Sequence, residues 1–257
     1  MNSPSQLSYG KIFRFWLPLA VTWLMMAAEG PFLAAIIARM AAEKVNLAAY
    51  GIAYAFGLVA ESPVIMLMSA STALCQDLIS YRRLRNFTLW LCLAVTLLLG
   101  IFLLPPLFFF VAETLLGLSG EIATLTHRTL ICLLPWAPAI GLRRFYQGIL
   151  IAAHKTRRVA IATVLRLSGM GGTALLLYHF STLNGAQVGG LALSCGVVAE
   201  ALFTRYLAKA AIAETRQKQS AADSKQMGYR EIWNYYLPLA LTPFIGFSIH
   251  PLVTFLF

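Results

Sequence analysis

The chain has 257 residues, of which 59% are hydrophobic and 12% charged, and its mean hydropathy is +0.73. Soluble domains carry roughly 25% charged residues, so this composition leaves too little polar surface for an outside that faces water. The net charge of +10 does not point to nucleic acid, because the basic residues fall in short runs between apolar segments and not on one polar face.

A membrane-spanning helix needs about 20 mainly apolar residues, each adding ~1.5 Å across a ~30 Å hydrocarbon core. Six segments meet this requirement: Ile12–Ala38, Leu47–Leu74, Phe87–Ala112, Ala123–Ala153, Val159–Phe180 and Val188–Ala210. A seventh begins near Ile232 and is still apolar at Phe257. The first follows Lys11 and Arg14 and exceeds the ~7–15 apolar residues of a signal peptide, so it is expected to remain as a helix. The expected fold is an all-α polytopic bundle embedded in a lipid bilayer.

Charge assigns the sides. Arg82, Arg83 and Arg85 precede the third span, Lys155, Arg157 and Arg158 follow the fourth, and Lys209, Arg216, Lys218 and Lys225 follow the sixth. These are alternate connections. The intervening ones hold Lys44 beside Glu43, then Glu113 and Glu121, then no charge over Ser181 to Ala186. Basic residues mark cytoplasmic loops, which places the N-terminus in the cytoplasm; the membrane expected is a plasma membrane, the inner membrane of a bacterium.

Pro18, Pro63, Pro105, Pro106, Pro135 and Pro138 fall inside the spans. Each removes a backbone donor and tends to kink its helix. Membrane helices tolerate this where neighbours or a cavity satisfy the freed carbonyls, and they are also richer in proline in general. Cys75, Cys92, Cys132 and Cys195 form no CxxC pair and read as small hydrophobes. The histidines (His127, His154, His179, His250) lack metal-ligand spacing, and no cofactor is expected. Gly169, Gly171, Gly172, Gly189 and Gly190 read as close-packing positions.

The strongest pattern is a repeat. Residues 9–37 align without gaps on residues 229–257, pairing Tyr9 with Tyr229, Ile12 with Ile232, Pro18 with Pro238, Thr22 with Thr242 and Pro31 with Pro251. Leucine and alanine matches are cheap between apolar helices, whereas two prolines, a threonine and a tyrosine in register are not. Six spans precede the second copy, so both copies start on the same side and the repeat is parallel, a transporter arrangement. Residues 1–210 are then a six-helix half, 211–228 a cytoplasmic linker, and 229–257 the first helix of a second half that is cut off mid-helix.

Two six-helix halves with a cytoplasmic linker resemble the multidrug/oligosaccharidyl-lipid/polysaccharide (MOP) flippase superfamily. That group includes the MATE drug exporters, the Wzx and MurJ lipid-linked sugar flippases and the progressive ankylosis proteins. Ala28-Glu29-Gly30 with Leu33 to Ile36, LAAYGIAYAF at 47–56, and QGILIAAHKTRRV at 147–159 look most like the last. The resemblance implies alternating access around a cavity between two halves. It also implies a small charged or amphiphilic solute, a lipid-linked oligosaccharide as the alternative, and coupling to protons or sodium. An inert membrane fragment is the reading from outside transport. A membrane enzyme is not expected, because the short loops hold no paired His/Asp/Ser cluster.

Six charges lie deep in the spans: Glu29, Glu61, Arg143, Arg144, Arg166 and Glu200. Such groups usually face a cavity or a partner. Gln147 stands one turn beyond Arg143 on the same face, while Arg143 and Arg144 diverge by about 100°. Two readings stay open. In one, Arg143, Arg144, Gln147 and Arg166 hold an anionic group through planar guanidinium forks, and Glu29, Glu61 or Glu200 takes a coupling proton or sodium ion. In the other, the acids and arginines neutralise one another between helices.

Overall fold

A computed structural model describes residues 9–75, 77–217 and 228–256. Residues 218–227 of the expected linker, with Lys218 and Lys225, lie outside the described residues, as do the side chains of His250 and Pro251. The described residues form helices joined by short connections, with no strand among them. The chain runs α1 (Tyr9–Ala27), α2 (Glu29–Ile37), α3 (Glu43–Ile65), α4 (Leu67–Leu74), α5 (Leu78–Phe102) and α6 (Pro105–Phe109). A π-helical stretch, Phe110–Leu115, leads to α7 (Gly120–Leu133), α8 (Trp136–Ala152), α9 (Thr156–Phe180), α10 (Gly185–Gln217) and α11 (Tyr229–Leu256).

Each expected span is helical, but several are broken, and the breaks have causes. The first span divides at Ala28, just before Pro31, which sits in the first turn of α2 where its missing N–H costs nothing. The fourth divides at Leu134 and Pro135 into α7 and α8, of 14 and 17 residues. Five stretches are long and apolar enough to cross a membrane: Ile12–Ile37, Glu43–Leu74, Leu78–Phe102, Thr156–Phe180 and Gly185–Glu214. The divided fourth span is not among them. Pro63 leaves α3 intact because the Ser62 hydroxyl donates to the Val59 carbonyl, at 2.6 Å, in place of the N–H that proline lacks.

The third span starts nine residues earlier than its hydropathy suggests. Asp77 is extended and accepts from the Ser80 N–H at 2.8 Å and the Ser80 hydroxyl at 3.1 Å, which is an N-cap. Arg82, Arg83 and Arg85 therefore ride on the first turns of α5 and not in a loop. The aligned segments in α1 and α11 make the same local bond. Thr22 donates to the Pro18 carbonyl at 2.8 Å in α1, and Thr242 donates to the Pro238 carbonyl at 3.3 Å in α11. This back-bonding loads one carbonyl with two donors and favours a bend.

α8 forms the axis of the bundle, buried from Trp136 to Leu150 with few interruptions and flanked by α3, α4, α5 and α10. Close approach there depends on Gly148, where an added Cβ would come within 1.9 Å of Ser71 Oγ. Gly189 is similarly tight, its Cβ meeting Tyr50 and Ile37 at 2.9 Å. Gly172, expected to serve packing, has nothing within 4 Å. Asn46 ties two helix starts together: it accepts from the Ala186 N–H at 2.9 Å and donates to the Ala41 carbonyl at 2.8 Å.

The distribution of polarity is that of a membrane protein. Trp16, Leu24, Trp90, Leu98 and Phe180 lie exposed, while Glu29, Glu61, Arg143, Arg144, Arg166 and Glu200 are buried. Water on the outside would favour the reverse arrangement. Alternate connections also share an end. Arg14 lines one cavity with His154, Lys155, Arg157 and Arg158, and Ala42 lines another with Glu121, Arg128 and Asn184.

Candidate functional site: a buried charge network

The deep charges converge where α2, α8, α9 and α10 meet. Glu200 of α10 is fully buried and accepts at both carboxylate oxygens. Arg143 Nη1 donates to Oε2 at 2.6 Å, Gln147 Nε2 to Oε1 at 3.2 Å, and Thr163 Oγ1 to Oε1 at 3.0 Å. Arg166 Nη1 stands 3.6 Å from the same Oε2, within ion-pair range. The other arm of Arg166, Nη2, donates to Glu29 Oε2 on α2. A continuous chain results, Glu29 to Arg166 to Glu200 to Arg143, with two charges of each sign.

The second pair stands apart. Arg143 turns towards α10, and Arg144 turns the other way, its guanidinium carbon 5.7 Å from the ring centre of Trp23 and its Nη1 3.8 Å from Met68 Sδ. About 100° between neighbouring helical residues forces this divergence. Arg144 and the buried Glu61 of α3 form no ion pair among the described residues. Glu61 Oε2 and Arg144 Nε are buried without hydrogen-bond partners, as are Glu29 Oε1 and Arg166 Nε.

The geometry recasts the residues that the sequence picks out. Arg143, Gln147 and Arg166 do not form a cationic set separate from the acids; they are engaged with Glu200 and Glu29. Of Arg143, Arg144 and Arg166, Arg144 makes no carboxylate contact among the described residues. Thr163 is a member that sequence reading missed. Its signal is a hydroxyl three residues before Arg166, hence on the same helix face. Trp23 and Met68 carried no signal, because their role depends on how α1 and α4 lie against α8.

Paired buried charges are costly to assemble, and removing one partner is costlier still. The set is therefore sensitive to charge state. Neutralising Glu29 would leave Arg166 to Glu200 alone and loosen the tie between α2 and α9. Among the described residues no cluster of His, Cys, Asp and Glu could hold a metal ion.

No family model matches the chain, and no curated protein matches it. Among solved structures it is similar to a MOP superfamily transporter from Pyrococcus furiosus, at 16% identity and a TM-score of 0.60. That likeness covers 91% of this chain and 50% of the other, so the chain spans about half the length of the solved structure it matches. At this identity the likeness is one of fold.

Proposed function

We propose that this integral membrane protein is one half of a secondary transporter that moves a small charged or amphiphilic solute by alternating access. The observation that carries the reading is the buried chain Glu29–Arg166–Glu200–Arg143, inside a bundle folded like half of a MOP transporter. Charges this deep in a lipid-spanning bundle mark solute or ion pathways by default.

In this reading Glu29 and Glu200 take the coupling proton or ion, and Glu61 is the third candidate. Glu29 lies at the first residue of α2, directly after the break at Ala28. A change in its charge acts at the junction between α1 and α2. Proton uptake at Glu29 releases one arm of Arg166, and that arm becomes available to an anionic solute. Arg144, free of carboxylate contacts, is the second anion-binding candidate, with Trp23 stacked beside it. Arg143 and Gln147 would contribute only after Glu200 lets them go. The basic end of the bundle faces the cytoplasm in this account, following the bias of Lys and Arg.

The test is solute-dependent proton movement in proteoliposomes loaded with a pH dye. Citrate and ethidium serve as an anionic and a cationic probe. Either probe should drive an internal pH change that is lost in Glu29→Gln while the protein remains folded. An unchanged response in Glu29→Gln and Glu200→Gln would remove the coupling assignment. A lipid-linked oligosaccharide flippase would instead ignore both soluble probes and move a labelled polyprenyl-linked sugar between leaflets.

A further inference from the structure

A groove of about 470 Å³ lies between α5, α8 and α10, and none of its lining residues belongs to the buried charge network. It is built from one stripe of each helix. Tyr81, Arg85 and Leu89 stand four residues apart on α5, Leu142 and Tyr146 four apart on α8, and Arg205 and Lys209 four apart on α10. Residues at that spacing share a helix face. On each helix a leucine lies deeper than the polar members, and on α10 Ile212 and Ala213 follow Arg205 and Lys209 towards the basic end. α5 starts at the basic end of the bundle, so Arg85 is nearer that end than Leu89. α8 and α10 run the other way, so Leu142 and Leu202 lie deeper than Tyr146, Arg205 and Lys209.

The groove thus carries Arg85, Arg205 and Lys209 towards the basic end of the bundle, with Leu89, Leu142 and Leu202 further in. No acidic residue lines it, and Arg85, Arg205 and Lys209 form no ion pair among the described residues. Arg85 Nε is buried with no hydrogen-bond partner. The Arg85 guanidinium sits 6.0 Å from the ring centre of Tyr81, and Arg85 Nη2 donates to Asn86 Oδ1 at 3.1 Å. Lys209 stacks on Tyr206 at 5.1 Å.

The groove opens away from α11. Phe87 packs on Trp233 and Tyr236 of α11, and Leu89, two residues on, is turned by about 200° around α5. The groove therefore opens on a side of the bundle that α11 does not cover. Basic pockets between membrane helices at the cytoplasmic side suit anionic headgroups.

We propose that this groove binds one anionic phospholipid, its phosphate held by Arg85, Arg205 and Lys209 and an acyl chain laid along Leu89, Leu142 and Leu202. The amphiphilic order of the walls selects a lipid over a free phosphate, which would leave the apolar half of the groove unused.

The test is native mass spectrometry of the full chain in mild detergent, titrated with phosphatidylglycerol, phosphatidylcholine and inorganic phosphate. Phosphatidylglycerol should give a saturable single adduct retained at least tenfold better than phosphatidylcholine, and inorganic phosphate should not displace it. The variant Arg85→Gln/Arg205→Gln/Lys209→Gln should lose that preference. Arg14→Gln/Arg82→Gln/Arg157→Gln, which removes as much charge from the same end, should keep it. Leu202→Trp, which fills the groove and leaves its charges, should weaken the adduct without altering the unfolding temperature. Equal retention of phosphatidylcholine, loss in the control variant, or displacement by inorganic phosphate would each overturn the assignment. A dimer that dissociates on adding phosphatidylglycerol would mean that a second copy occupies the groove.

Discussion

Replacing Glu200 by Gln should destabilise the bundle more than neutralising any surface pair. Glu200 accepts from Arg143, Gln147 and Thr163 at 2.6–3.2 Å, with Arg166 at 3.6 Å, and its side chain is 0% exposed. The amide keeps the shape but offers one acceptor oxygen. If that oxygen serves Gln147 and Thr163, the amide NH2 faces the guanidinium of Arg143, donor against donor. Breaking a buried ion pair by removing one partner costs about 3–5 kcal/mol. The exposed pair Lys155–Glu214, with Glu214 57% exposed, supplies the contrast. An exposed pair is worth about 0–1 kcal/mol, so Lys155→Gln should change little. The assay is thermal unfolding in detergent followed with a thiol-reactive dye, for which buried Cys92 is a built-in reporter. Arg143→Gln/Glu200→Gln should recover part of the loss, since it removes a charge of each sign. The reasoning fails if Glu200→Gln unfolds no earlier than Lys155→Gln, or if the double variant is worse than the sum of the two single ones.

Gly148→Ala should cost about 1–3 kcal/mol through overpacking, because its Cβ would lie 1.9 Å from Ser71 Oγ and 2.4 Å from the Met68 carbonyl; Gly172→Ala, with nothing within 4 Å, should be neutral in the same melt. Asn46→Ala should cost about 1–3 kcal/mol by leaving the Ala186 N–H unpaired, and hydrogen exchange should show the start of α10 opening first. Asp77→Ala should cost about 1 kcal/mol as a lost N-cap, measured in the same dye assay, with the spans otherwise intact.

Hydropathy and charge made the spans and their alternation legible, because both depend only on local composition. The ends were less so. The start of α5 was missed because Asp77 and Ser80 cap a turn of basic residues that hydropathy reads as loop. The break at Ala28 follows from Pro31 one turn on, a signal that needs the helix register as well as the proline. The buried charges were legible as a set, since each is anomalous in an apolar run. Their pairing was not, because Arg166 reaches Glu29 across 137 positions of sequence and Arg143 reaches Glu200 across 57. Only the stacking of α8, α9 and α10 decides that Arg143 and Arg166 share Glu200 while Arg144 faces Trp23. The Thr22–Pro18 and Thr242–Pro238 bonds follow from the aligned letters, since helical threonines here commonly bond the carbonyl four residues back, as Thr96 and Thr129 also do.

Sided chemical labelling tests most directly whether these charges lie within a lipid-spanning bundle. Single cysteines at Arg82, Arg157, Glu121 or Asn184, in a variant lacking the four native cysteines, would be exposed to a membrane-impermeant maleimide in intact cells. Glu121 and Asn184 should label from outside, with Arg82 and Arg157 labelling only after the membrane is opened. Labelling of all four from the same side would contradict the account.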